Sequence, residues 1–417
     1  MEEKFIVRTN CRLCESNKLK KILSIPKCPV ADKFLDYKNQ SSYDVLWTDL
    51  DLYFCENCTH VQLLKAVDPD YIWKEYLYHS RLSKHLVKNF NKVVKKIIKI
   101  VDSTKDNLFI DIGSNDGSLI QNYIDLGYKN ILGIDPSLSA SKLANSAGRR
   151  TLNSYFNYKK AESIINKFGK AKAITCFNTF AHIDDLNDIL SGITLILEEG
   201  GIFVFEASYF LDIYEKNLIG TIFHEHLDHH KIYALKRFFS KFDMEIFNVE
   251  RNSNQGGSIV GYVKRKSNKK IKINKSVQDL IDLENSVGLN SLNSILNIQG
   301  KFDKYKILIH NKIKELHENK NKICGFGASK SSFTFITYFN IGKFLNYIVE
   351  QNSLKVGKFL PDHKIPVLPI SMLDEDKPDF VINFAWVHNE KIILDYGELF
   401  KSKGIKILTI SPQLKII

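Results

Sequence analysis

The chain has 417 residues, 44% hydrophobic and 12% aromatic, enough for two or three domains with real cores and too apolar for a disordered chain. No apolar run approaches the roughly 18 residues of a bilayer span, and the start, Met1-Glu-Glu-Lys-Phe-Ile-Val, lacks a secretory layout, so a cytoplasmic protein with no membrane partner is the expectation. The formal charge of +12 invites a nucleic-acid reading, but only 8 of the 59 basic residues are Arg, and nucleic-acid surfaces lean on Arg for bidentate and stacking contacts.

In chain order, Cys11-Arg-Leu-Cys14 and Cys55-Glu-Asn-Cys58 come first. They are two C-x2-C knuckles in a chain whose seven cysteines form no even set for disulfides. Two knuckles supply four thiolates, a closed tetrahedral shell, so the spacing predicts a structural zinc ion held by Cys11, Cys14, Cys55 and Cys58. Residues 81–101 read as a helix, with apolar positions three and four apart at Leu82, Leu86, Phe90, Val93, Val94 and Ile97. A strand at 107–111 then runs into Ile-Gly113-Ser-Asn-Asp-Gly117 and a helix from Ser118, and a second strand ends at Asp135. Further strands fit 173–177 and 201–206. Alternating strands and helices predict a parallel sheet with crossovers.

Asp111-x-Gly113-x-x-x-Gly117 lies between strand and helix, where glycines let a ligand approach the backbone. Asp135, about 20 residues later, is placed to accept ribose hydroxyls. Asp111 ahead of the first glycine can face an amino group, so the pair favours S-adenosylmethionine (SAM) over NAD. Another adenosine ligand is the alternative.

His224-Glu225-His226-Leu-Asp228-His229-His230 gathers four of the twelve histidines into seven residues. An acid–base site, in which a histidine of the run takes a proton and Glu225 orients it or stabilises its charged form, is favoured over a metal site, for which no clean ligand spacing exists. A solvated polar loop is the bland alternative. Residues 264–275 hold seven basic residues in twelve and read as a solvated strand edge and linker. Residues 276–321 look helical. A second strand–turn–helix opens at Lys322-Ile-Cys-Gly325-Phe-Gly327-Ala-Ser-Lys330, with strands at 345–350 and 380–385. The expected domains are a zinc-binding domain over 1–70, an α/β domain with the SAM site over 71–268, and a helical linker with a second α/β domain over 269–417.

These residues together resemble the C-methyltransferases of nucleotide-bound 4-keto-6-deoxy sugars, the family that includes the tetronitrose C-3 methyltransferase. The likeness covers essentially the whole chain. It rests on the two knuckles, Tyr76-Leu-Tyr78-His79-Ser80, Asp111 to Gly117, Gly133-Ile-Asp-Pro136, Asn178-Thr-Phe-Ala-His182, Glu225-His226, Gln255-Gly-Gly257, Gly325-Phe-Gly-Ala328, Gly357-Lys-Phe-Leu-Pro361 and Ala385-Trp386. The resemblance implies an α/β chain of three parts: a four-cysteine zinc-binding domain, a class I SAM-dependent methyltransferase domain of Rossmann-like build, and a second Rossmann-like domain. It further implies proton abstraction beside the keto group by His226 and attack of the enolate on the SAM methyl group. Glu225, His182 and a tyrosine, Tyr76 or Tyr78, fill the remaining catalytic positions. SAM contacts are implied for Asp111, Gly113, Ser114, Asn115, Asp116, Gly117, Asp135, Pro136 and Asn178.

Departures fall where the sugar is expected. Phe223 stands in place of a family tyrosine, His229 and His230 replace aromatic positions, and Lys330-Ser331 shifts the expected basic residue by one. Phe223, His224, His229, Lys330 and Ser331 are therefore the candidate substrate contacts. A relative that epimerises or isomerises a keto sugar is the alternative chemistry. A zinc-ribbon RNA methyltransferase would leave the second α/β unit without a purpose. The sequence leaves the sugar, the carbon and the oligomeric state open, with a monomer as the working expectation.

Overall fold

The computed structural model describes residues 4–30, 32–41, 45–73 and 79–417. Tyr76 and Tyr78 lie outside the described residues. None of the described helices is long and apolar enough to cross a membrane.

The central sheet has seven strands, in the order Thr151–Asn153, Ile131–Asp135, Leu108–Ile112, Ala171–Phe177, Leu197–Ser208, Ser258–Arg265 and Met244–Asn252. The first five are parallel, and Ser258–Arg265 runs antiparallel between Leu197–Ser208 and Met244–Asn252. Leu108–Ile112 and Ile131–Asp135 are buried throughout, the continuous apolar run expected of strands covered on both faces. Helix Lys84–Ile100 starts on Ser83, whose Oγ accepts the Leu86 N–H at 3.4 Å, and buries Leu86, Phe90, Val93, Val94 and Ile97 against this sheet. The antiparallel hairpin was not foreseen. It also corrects the reading of the basic run, because Lys264 is inside it, 2% exposed, with its ammonium on Glu245 at 2.6 Å and on the Asn268 carbonyl. The strand pattern masked this because a Lys stem buries readily when its head finds partners.

A second, six-stranded sheet runs Val367–Pro369, Ile348–Glu350, Ile323–Phe326, Phe380–Asn383, Lys406–Ile410, all parallel, with Leu414–Ile416 antiparallel at the edge. It repeats one device of the first. Asp135, ending the second strand there, accepts the Asn115 N–H at 2.8 Å; Glu350, ending the second strand here, accepts the Ala328 N–H at 2.8 Å. In each unit a carboxylate thus clips the loop that follows the first strand.

The N-terminal part is a small antiparallel sheet of Leu19–Leu23, Leu52–Cys55 and Val61–Leu63, with two short two-stranded ribbons beside it. Its fourth strand is not local. Asp228–His229 pairs with Gln62 and Val61, so the histidine-rich segment completes a sheet begun some 170 residues earlier. A single cluster of buried apolar side chains extends from Cys11 and Phe54 through Phe203 and Phe239 to Phe335 and Ile410, joining all three parts.

Candidate active site

In the zinc-binding part, the four sulfur atoms of Cys11, Cys14, Cys55 and Cys58 lie within 4.8 Å of one another, with Cys11–Cys58 and Cys14–Cys55 both at 3.5 Å. Sulfurs around one tetrahedral zinc sit about 3.8 Å apart, given zinc–sulfur bonds near 2.3 Å, so this cluster fits the ion without rearrangement. Four thiolates fill a tetrahedral shell, the ligand set of closed rather than open zinc sites.

Arg12, between the first two cysteines, extends inward. It is fully buried, with Nε on Asp184 at 3.0 Å, and Arg8 meets the same carboxylate at 2.9 Å. Asp184 follows His182 by two residues, so the first knuckle holds the His182 loop. The second knuckle leads into Val61–Leu63, which pairs with Asp228–His229 and donates the Leu63 N–H to the Leu227 carbonyl. The zinc module therefore seats both histidine-bearing loops.

The candidate cofactor cleft lies at the switch point of the central sheet, where Leu108–Ile112 and Ala171–Phe177 are neighbours and ligands of such folds bind. Gly113 and Gly117 have φ of +73° and +74°. A Cβ on Gly113 would meet the Thr179 hydroxyl at 2.1 Å, so the loops after the two strands approach as only glycine allows. Asp111 is buried with Oδ1 on the Thr175 hydroxyl at 2.6 Å, and burial pushes its carboxyl up to about 7. A cationic ligand group beside it would restore the charge. The Ser114 hydroxyl is buried without a partner. Asp135 accepts N–H groups from Asn115 and Ser137, both at 2.8 Å. Glycine loop, buried Asp111, unpartnered Ser114 and strand-end Asp135 fit an adenosine ligand bearing an amino group, as SAM does.

Other expected contacts have structural tasks. Asn115 and Asp116 accept the N–H groups of Ser80 and Arg81, both at 3.1 Å, folding that segment over the glycine loop. Asn178, with φ of +53°, donates its N–H to the Glu206 carbonyl, and the Pro136 carbonyl accepts from Asn153. The buried Glu206 carboxylate takes side-chain amides from Asn89, Asn252 and Asn254, a cluster the sequence did not announce.

The acid–base candidates do come together. His226 donates Nδ1–H to the Thr221 carbonyl at 2.6 Å, which leaves Nε2 as a free base. Its ring centre is 3.9 Å from that of Phe223 and 5.1 Å from that of His182, and His182 stacks on Trp73 at 5.1 Å and 11°. Burial, with the Lys330 charge adding to it, pushes His226 down to about 4 and holds His182 well below its ordinary value, so both rings are neutral near pH 7.

Three expectations are corrected. Glu225 does not orient His226: the Thr221 carbonyl does that, and Glu225 is ion-paired with Lys330 at 2.7 Å. His224 and His229 do not face a cleft. Both are buried, His224 with Nε2 on the Thr48 carbonyl of the N-terminal part, and His229 within the strand paired to Val61. Ser331 is engaged too, its hydroxyl donating to the Gly220 carbonyl at 2.7 Å. Trp73, Thr175 and Thr221 were missed. Thr175 alone left a trace, a hydroxyl inside the buried apolar stretch 173–177.

Three family models match the chain in succession: a zinc binding domain over residues 11–73, a methyltransferase domain over 81–248 and a C-methyltransferase C-terminal domain over 253–412. The C-methyltransferase NovU of Streptomyces niveus is 23% identical over 408 residues, covering 98% of this chain and 96% of NovU. Among solved structures, a S-adenosylmethionine-dependent methyltransferase from Clostridium acetobutylicum shares 16% identity over 43% of this chain and 92% of its own, with a TM-score of 0.35. Magnesium protoporphyrin IX methyltransferase from Synechocystis shares 15% over 43% of this chain and 83% of its own, with a TM-score of 0.33.

Proposed function

The chain is a SAM-dependent C-methyltransferase that carries a four-cysteine zinc-binding domain, and from that premise we propose that it methylates a ring carbon beside the keto group of a nucleotide-linked deoxy sugar. The observation that carries this reading is the neutral His226, locked through Nδ1 with Nε2 left to accept a proton, on a loop against the C-terminal α/β unit. A base of that kind removes a proton from carbon only when the carbon adjoins a carbonyl, because the charge then lands on oxygen.

His226 takes the proton, and His182, stacked on Trp73, fixes the position of the acceptor. Asp111, Asp135 and the Gly113–Gly117 loop hold the cofactor. When bound, SAM supplies an electrophilic methyl group to the enolate carbon. Holding donor and acceptor in one cleft makes the transfer effectively unimolecular. The C-terminal unit supplies the nucleotide subsite, a reading supported by its own switch-point loop at Gly325–Lys330 and the strand-end Glu350.

The test is mass spectrometry of nucleotide-linked 4-keto-6-deoxy sugars incubated with enzyme and SAM in deuterated water. Methyl gain with loss of SAM is the expected result. Deuterium uptake without methylation at any SAM concentration would instead mark an epimerase or isomerase, and no change with any keto sugar would overturn the substrate class.

A further inference from the structure

We propose that Lys330, reaching from the C-terminal unit and held by Glu225, is the catalytic cation that receives the charge of the enolate oxygen when His226 removes the substrate proton. The proposal rests on the keto-sugar reading above and assigns a group which that reading leaves open.

In the step concerned, the C–H bond breaks, its proton goes to His226 Nε2, and its electron pair moves through the new carbon–carbon double bond onto the keto oxygen. That oxygen needs a donor already in place. Of the described groups around His226, the Phe223 ring at 3.9 Å has no polar atom, and His182 is a neutral imidazole. Lys330 Nζ lies 5.5 Å from the Phe223 ring centre and 5.8 Å from that of Trp73, over the two rings that flank His226 and His182. It brings full positive charge, and charge-assisted hydrogen bonds are about twice as strong as neutral ones. An ammonium carries three protons, so contact with Glu225 and contact with a substrate oxygen are compatible.

The support behind Lys330 is unusually complete. It is the first residue of helix Lys330–Phe339, whose start is fixed by reciprocal hydrogen bonds between Ser329 and Ser332. The same helix is bonded to the loop bearing His226, through Ser331 to the Gly220 carbonyl at 2.7 Å and Thr334 to the Ile222 carbonyl at 3.0 Å. Glu225 is fully buried, and among the described residues Lys330 is its ion-pair partner, at 2.7 Å. A buried carboxylate whose counter-charge comes from another sheet, one residue from the base, holds that charge in the cleft.

The experiment is solvent-deuterium exchange into thymidine-diphosphate-linked 4-keto-6-deoxyglucose without methyl transfer, alongside methylation with SAM. Lys330→Met is expected to slow exchange roughly 10²–10³-fold, the usual loss of one oxyanion donor, with SAM affinity unchanged. Because it leaves Glu225 buried and unpaired, the double variant Lys330→Met with Glu225→Gln separates structure from catalysis. It regains thermal stability while exchange stays slow, and added methylamine speeds exchange in Lys330→Ala. Exchange at the wild-type rate in the double variant would overturn the proposal and leave the keto-sugar reading intact. A wild-type enzyme that neither exchanges nor methylates any keto sugar would overturn both.

Discussion

His226 shows how one backbone carbonyl sets the chemistry of a ring. With Nδ1 committed to Thr221, only Nε2 is basic, and burial with the nearby Lys330 charge brings its pKa down to about 4. The base is active when neutral, so kcat/KM should show no acid limb near pH 6.5, the ordinary histidine value; a limb there would contradict the assignment. His226→Asn is expected to cut turnover by about 10²–10⁴ with SAM affinity unchanged by calorimetry. Asp135→Ala should do the reverse, weakening SAM at least tenfold, on the order of the loss of a charged hydrogen-bond acceptor, with substrate exchange surviving. Asp111, the glycines and Asp135 were legible in the sequence because their chemistry and spacing are local. Thr221, Trp73 and the Glu225–Lys330 pair were not, since nothing in a linear sequence says which carbonyl or ring a folded loop will meet.

Among the elements, the four cysteines were the plainest part of the sequence, but not what their module is for. Arg12 reaches Asp184, and Val61–Gln62 pairs with Asp228–His229, so the zinc sheet is built partly from the loops it positions. Asp184→Ala leaves Arg12 buried without its carboxylate and is expected to cost about 3 kcal/mol in denaturant unfolding, and to slow turnover more than it weakens SAM binding. Equal losses in both would argue for a purely structural contact. His229 and His230, beside this seam, are pushed by burial down to about 3 and about 4. Folded, they stay neutral, whereas the unfolded chain takes up protons below about 6.5, so stability is full above that pH and falls as pH drops toward 4. Melting temperatures between pH 7.5 and 5 would reveal a flat profile if the two rings were not buried neutral. The histidine run read as a catalytic loop; Asp228–His229 within it is a strand, and two residues give no period to recognise.

For the whole molecule, the alternation of strand and helix announced both α/β units and their parallel strands. The antiparallel hairpin at 244–265 escaped because its basic residues resemble a solvated linker until Lys264 meets Glu245. One apolar cluster spans all three parts, and the His226 loop is bonded to two of them while belonging to the third. Thermal unfolding should therefore be a single calorimetric transition, shifted as a whole by zinc chelation; two separated transitions would show that the parts melt alone.

The shared sheet also bears on ancestry. Because Val61–Gln62 and Asp228–His229 are edges of one another, a genetic crossover anywhere between them unites halves that were never selected together. New acceptor preferences in this lineage are then expected to arise by substitution in place, around Phe223 and Lys330, and not by shuffling whole modules between relatives.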